Sequence, residues 1–467
     1  MNIRETLAGF GEFWNEFRKS TLGLVGLGIL VLFLLFGTFG QYLTPFPGAT
    51  ENWRNIDFWQ DNAQAAPPVW TNVPWGTQAA ASAFLSDAKV EVQELDGGVK
   101  QATWSFAYPY QADQAPRDVI FAFTGTGQVP VILSVTRPDG KTVEISRQQL
   151  DLAEGELQRV SVTNSGAQSL IEFIRSSDEA LASKLVADVV KPTRLLFAKI
   201  DPQMAETPVS LKGSYTFTLT ALYLNETSKV EDPSVRISGA VSGLLGTDIS
   251  KRDIYTGIVI GIRWALIIGL VTSLITVLIG VLLGVLAAYF GGPVDWVINR
   301  VYEYFYLMPV IPFLVVISAI FKITIWALIG LIVLFFWTGA FKPVYGMALQ
   351  LKEEVFVEAS RALGSSRWRI ILKHIFPMVL PYSFAVMALS VPGVIVYEAT
   401  VSILGLGDPN IVTWGGILQA AFGQGAVINN LWWWVVPPGL MIALMGMAFV
   451  FLGTALDKIL QPKLKTR

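Results

Sequence analysis

The sequence contains no cysteine and a single histidine, His374, in 467 residues. Disulfides, thiolate nucleophiles and multi-histidine metal sites are excluded with them, and any triad or zinc centre would have to be built on that one imidazole. Charge is scarce too. Only 15% of residues are Asp, Glu, Lys or Arg, and the formal net charge of -2 gives no electrostatic reason to bind nucleic acid. No G-x-x-x-x-G-K-[ST] phosphate loop occurs, so catalysis and ATP handling within the chain are not expected. Hydrophobic residues, by contrast, make up 52%. That is too apolar for one water-soluble domain and too charged for lipid throughout.

A helix crosses bilayer hydrocarbon with about 20 apolar residues. Six runs meet that length: Thr21 to Leu43, Ile258 to Phe290, Val301 to Phe321, Ile323 to Ala340, Val379 to Leu404 and Leu431 to Leu456. The third and fourth are joined by almost nothing and read as a tight hairpin. The first is not a cleavable signal peptide, because a polar stretch with Arg4, Arg18 and Lys19 precedes a long apolar core with no small-residue cleavage pattern. Lys and Arg near span ends favour the cytoplasm, which places inside Arg4, Arg18, Lys19, Arg300, the basic cluster from Lys342 to Lys373, and Lys458, Lys463, Lys465 and Arg467. The short outer loops then hold Lys322 alone, and both termini are cytoplasmic.

Residues 44–250 are of another kind, polar and without a spanning run, and belong outside the membrane. Val119 to Phe123, Val129 to Thr136 and Lys141 to Ser146 read as strands, the last two forming a hairpin across Arg137-Pro138-Asp139-Gly140. Gly213 to Leu224 alternates as a long strand, and Ser169 to Val190 has a helical period. A mainly β, sandwich-like domain with one or two helices is expected. Trp53, Trp59, Trp70 and Trp75 would, if exposed, suit stacking on sugars or peptides or packing on the membrane surface. The sequon Asn225-Glu226-Thr227 reads as a turn.

The most informative stretch joins the fourth and fifth runs. Helix formers flank Gly364-Ser365-Ser366, which reads as helix, break, helix, with Pro377 stopping the second piece. Trp368, Ile371, Leu372 and Ile375 form an apolar stripe, leaving Arg367, Arg369 and Lys373 off it. Small Ala359, Ser360 and Ala362 permit close approach of another surface, and Glu358 with Arg361 offers a charged pair. His374 reads as a polar-face residue of this basic helix, whose alternative is to lie on anionic lipid. In the spans, Glu398 and Glu303 suit either interhelical hydrogen bonds or the lining of a pathway. Pro309, Pro312 and Pro392 suit either gating kinks or shape alone. Trp432, Trp433 and Trp434 read as an interfacial aromatic belt.

The spacing Glu358-Ala359-Ser360, Gly364, Pro377 resembles the EAA loop of ABC-importer permeases, in the variant Lys373-His374-Ile375-Phe376-Pro377 of the dipeptide, oligopeptide and nickel family. Leu245-Gly246-Thr247-Asp248-Ile249-Ser250-Lys251-Arg252-Asp253, Gly261-Ile262-Arg263, Glu398-Ala399, Leu404-Gly405-Leu406-Gly407 and Thr413-Trp414-Gly415 are similar to the C-type subunit of that family. Ser360 replaces the usual second Ala, and Glu303 stands where Asp is common. The likeness covers about residues 10–75 and 240–462. Pro67-Pro68-Val69-Trp70 resembles the start of the family's short outer loop and Leu245 to Asp248 its end, so the domain between them reads as an insertion.

The resemblance implies a type I ABC importer permease fold of six transmembrane helices: a cytoplasmic segment 1–20, a first helix 21–43, the inserted domain 44–250, a core 251–462 with its ATPase-coupling loop at 350–377, and a tail 463–467. It implies a homologous second permease subunit, two cytoplasmic ATPases that hold ATP and Mg, an extracytoplasmic substrate-binding protein, and a peptide, nickel or oligosaccharide as solute. Within it the coupling residues would be Glu358, Ala359, Ser360, Arg361, Gly364, Arg367, Trp368, His374 and Pro377, with Glu398, Pro392, Pro309 and Glu303 in the pathway or gate. The inserted domain would be a cap, a docking platform or a built-in solute receptor. The alternative reading is a membrane-anchored sensor or force-transmitting protein.

Overall fold

The computed structural model describes residues 13–460 apart from 74, 96–98, 188 and 226, and of residue 319 only the backbone. Expectations resting on Arg4, Lys463, Lys465, Arg467, the tail and Glu226 of the sequon lie outside those residues. The chain forms two compact units, Met1–Glu51 with Thr256–Arg467, and Asn52–Tyr255.

In the first unit Ser20 caps helix α1 (Thr21–Phe39), its Oγ accepting from the Gly23 N–H at 3.2 Å. Then follow α2 (Ile254–Phe290), α3 (Gly292–Leu307), α4 (Val310–Ile320), α5 (Ile325–Phe336), α6 (Thr338–Lys352), α7 (Val355–Ala362), α8 (Arg367–Ile370), α9 (Phe376–Ile403), α10 (Trp414–Gly423) and α11 (Trp432–Leu460). Among the described residues, five continuous helices are long and apolar enough to cross a membrane: Thr21–Tyr42, Ile254–Phe290, Ile325–Lys352, Arg367–Ile403 and Trp432–Leu460. They become six if the bent pair α3 and α4 is one span. The continuous third span expected from Val301 to Phe321 is instead broken, with a 76° bend at Met308-Pro309. A proline disfavours helical backbone in the residue before it, and Met308 is extended, with φ −72° and ψ 127°.

The second unit is mainly β. Its strands are β1 (Ala83–Leu85), β2 (Lys89–Glu94), β3 (Lys100–Tyr110), β4 (Asp118–Thr136), β5 (Thr142–Leu152), β6 (Gln158–Ser161), β7 (Gly213–Tyr223) and β8 (Lys229–Ser238). They join in one sheet of order β1-β8-β4-β7-β3-β2, with β5 and β6 also paired to β4. Val119 to Phe123 and Val129 to Thr136, expected as separate strands, are both parts of β4. A register irregularity against β8 between Ala122 and Thr124 is absorbed within the strand instead of ending it. The hairpin across Arg137 to Gly140 is present, closed by the Gly140 N–H on Arg137 O at 3.0 Å. Of the helical stretch expected over Ser169 to Val190, Ala167–Arg175 is one helix, burying Leu170, Ile171 and Ile174 in the core, and Glu179–Ala182 is a further turn capped by Asp178.

At the root of this unit the chain that enters lies beside the chain that leaves. Ala65 N donates to Asp248 O, Thr247 N to Ala66 O, Ser242 N to Pro67 O and Val69 N to Gly243 O, all at 2.8 to 3.0 Å. Thr247 stitches both sides, its hydroxyl donating to Ala63 O at 2.6 Å and accepting from Ala66 N at 3.0 Å. Asp248 is buried and takes Arg252 N and Nε at 2.8 and 2.6 Å. Burial pushes its carboxyl up against the pull of that guanidinium. Trp53 and Trp59 are buried and so not free for stacking on a ligand, with Arg252 over the Trp53 ring and the Trp59 indole N–H on Asn52 O. Trp70 and Trp75 are exposed.

Candidate functional site

The chain between α6 and α9 is an elbow. Leu363 ends α7 and Gly364 follows with φ +78°, a backbone that side chains with a Cβ rarely adopt. Ser366 then caps α8, its Oγ accepting from Arg369 N at 3.3 Å. The second arm does not stop at Pro377. Ile371–Ile375 forms a π-helical turn, in which Phe376 N donates to Ile371 O, and the helix continues into α9. The wider turn accommodates a proline that has no N–H and whose ring crowds the carbonyl four residues back.

The π turn also alters which residues face inward. The buried face is Ile370, Ile371 and Ile375, packed with Val357, with Val281 and Val285 of α2 and with Val344 and Ala348 of α6. Trp368 and Leu372, expected on the apolar stripe beside Ile371 and Ile375, are 56% and 60% exposed. With Val355 at 77% and Leu363 at 87%, they leave an apolar surface on an elbow whose own core is already filled. Arg361, Arg367, Arg369 and Lys373 are exposed around it. Glu358, Ala359 and Pro377 are also exposed. Glu358 and Arg361 are not in a salt bridge among the described residues, so their expected pairing is absent here. His374 is half-buried and joins the two arms, its Nε2 lying 3.4 Å from Ser360 Oγ and its ring 6.2 Å from that of Phe356.

The residues singled out in the spans do not converge. Glu303 is exposed on α3 and paired with Arg300. Pro309 is at the 76° break. Pro392 lies inside unbroken α9, where a Cβ on Gly446 of α11 would sit 3.5 Å from its ring. Glu398 is 5% exposed. Its Oε1 accepts from Ser402 Oγ at 2.7 Å, and the Thr413 side chain lies beside its carboxylate. Thr413 caps α10 by accepting from Gly416 N at 3.0 Å. A Cβ at Gly415 would come within 2.7 Å of Ala399 Cα and 3.2 Å of Glu398 Oε2. Trp414 Nε1 donates to Ile258 O of α2 at 3.0 Å.

A second polar cluster was not anticipated. Lys342 of α6 donates to Asn299 Oδ1 at 2.7 Å beneath the rings of Tyr302, Phe341 and Tyr345, and Tyr345 OH donates to Asp295 Oδ2 at 3.1 Å. Asp295 and Asn299 stand four apart on α3, a helical spacing that could have flagged one polar face.

The family described as "Binding-protein-dependent transport system inner membrane component" matches residues 280–466. The one described as "N-terminal TM domain of oligopeptide transport permease C" matches residues 10–68. The oligopeptide transport system permease protein OppC of Haemophilus influenzae is 34% identical over 219 residues, spanning 47% of this chain and 70% of that protein. The chain belongs to this permease family. The dipeptide transport system permease protein DppC of Bacillus subtilis is 33% identical, across 47% of this permease and 68% of its own length. The glutathione transport system permease protein GsiD of Pectobacterium atrosepticum is 30% identical, across 48% and 73%. A solved structure of the MetNI methionine ABC transporter covers 44% of this permease and 95% of its own chain at 21% identity, but its TM-score of 0.32 is too low to bear on the fold. The permease is thus a multi-pass inner-membrane subunit of an ABC importer, and none of these likenesses favours the sensor reading.

Proposed function

We propose that this permease forms half of the translocation pathway for a peptide or similar small solute, beside a homologous second permease subunit. Two cytoplasmic ATPases holding ATP and Mg dock on the elbow, and an extracytoplasmic protein delivers solute. The observation that carries this reading is the elbow itself: its inner face is saturated by α2, α6 and α9, while Val355, Leu363, Trp368 and Leu372 stay exposed among basic residues. A surface of that kind suits a partner protein. Ala359, Ser360 and Gly364 let the partner come close, and Val357 packed with Ile370 and Ile371 keeps the arms together so that a push on one reaches α9. Peptide as solute follows from the oligopeptide and dipeptide relatives. Glu303, Pro309 and Pro392 belong, on this reading, to the moving pathway helices, with α3 and α4 counted as one broken span of six.

Both termini are then cytoplasmic and the β unit is outside. One apolar core draws Phe121 and Val235 from one half of the sheet and Phe217 and Leu219 from the other, which supports a sandwich-like closure about the long β4. The hydrogen-bonded chain segments at its root, next to the end of the residue 10–68 match, support its being an insertion that serves as a cap or docking platform.

The test uses the absence of native cysteine. Single cysteines at Leu363 and Trp368 should crosslink to co-purifying ATPase subunits in native membranes, and one at exposed Val90 of β2 should not. Crosslinks from Val90 but none from the elbow would overturn the docking assignment.

A further inference from the structure

Glu398 suits, by its sequence, either the lining of a pathway or a bond between helices, and its surroundings bear on the choice. The residue is 5% exposed within this single chain, before any second subunit covers it. Ser402 on its own helix donates to it, Thr413 at the start of α10 lies beside it, and the two are 4% and 5% exposed. A carboxylate so enclosed has little to offer a passing solute. It is placed to hold one piece of backbone against another.

The surrounding packing agrees. Gly415 has no Cβ where one would strike the Ala399 backbone, so the first turn of α10 lies directly on α9. Gly407, in the connecting turn, is equally close to Ser402, since a Cβ there would meet its Oγ. The other flank of α10 is tied to α2 through Trp414 and Ile258.

We propose that Glu398 is a positioning residue, which makes α9, the turn after it and α10 move as one rigid body when the transporter changes state. It lies outside the solute path. The consequence for transport rests on the permease reading. The hold itself does not, and the two are tested separately.

The parent for the test is Ala421→Cys in the cysteine-free chain, because Ala421 is fully buried on α10. Its rate of reaction with a soluble maleimide reports how often α10 lifts from its seat. Adding Glu398→Ala should raise that rate about tenfold, Thr413→Val should raise it in the same direction, and Glu398→Gln, which keeps the shape and can bond both hydroxyls, should return it to the parent rate. Glu398→Ala labelling at the parent rate, or Glu398→Gln labelling as fast as Glu398→Ala, would overturn the hold. If Glu398→Ala does not fold, Thr413→Val and Ser402→Ala carry the same comparison.

The second arm compares nucleotide-free and vanadate-trapped complexes isolated through a tag on this chain. Equal protection of Ala421→Cys in both states is the expected result. Labelling that appears only after trapping would show α10 leaving α9 during the cycle and overturn the rigid-body claim. Isolation without an ATPase would instead count against the proposed function and leave the labelling result standing.

Discussion

The coupling elbow and the Glu398 cluster are both made of polar and apolar residues at a break between helices, yet they are opposites. At Glu398 every named polar group is buried and has a partner, and the close contact at Gly415 leaves no room for a Cβ. At the elbow the interior is packed, but Val355, Leu363, Trp368 and Leu372 stay more than half exposed, even though the Trp368 ring meets that of Phe290 at 5.8 Å. The first arrangement resists change and the second awaits a surface. Substitutions should therefore affect stability at one and coupling at the other.

The contrast breaks most severely at Gly415. Valine there must displace the Ala399 backbone, so Gly415→Val should cost about 3 kcal/mol and show in thermal unfolding of the detergent-solubilised protein. A melting temperature equal to the parent's would mean that α9 and α10 are not seated as described. At the elbow the effect moves to function. Leu363→Glu with Trp368→Glu should leave the melting temperature unchanged and cut ATP hydrolysis in the isolated complex by tenfold or more, since a charge must be desolvated in the joint. A fall in melting temperature with hydrolysis intact would reverse the two roles.

Ser402→Ala sharpens the first half of the comparison. It removes one donor and leaves a buried carboxylate oxygen short of a partner, at a cost of about 1–3 kcal/mol by the same unfolding measurement. A neutral result would mean that Thr413 alone suffices.

Much of this was legible in the residues because spans and elbow arise from local rules. Apolar runs of bilayer length, Gly364 with its positive φ and the turn at Arg137 to Gly140 are all short-range signals. The face of the second arm was not, because a π turn inserts an extra residue per turn and no periodicity count foresees it. Pro309 sits at a break in a span expected to be continuous, while Pro377, expected to stop the second arm, is absorbed by that π turn. Ser402, four residues on along the same helix, was within reach of spacing as a partner of Glu398, but the approach of Thr413 was not, since only tertiary packing brings the start of α10 there. The continuity of β4 across two expected strands is also tertiary in origin, since β8 pairs along its first half and β7 along its second.

Ser360 tests the weakest link in the comparison. Its hydroxyl is 3.4 Å from His374 Nε2, both residues are half-buried, and the two arms are held more firmly by Val357 against Ile370 and Ile371. Ser360→Ala restores the small residue usual in the family and removes that bond, worth about 1 kcal/mol or less where water can substitute. Stability should hold, and ATP hydrolysis in the complex should change by less than about threefold, a difference of well under 1 kcal/mol. A tenfold loss would show that the histidine bridge, and not the apolar packing beneath it, keeps the two arms acting as one lever.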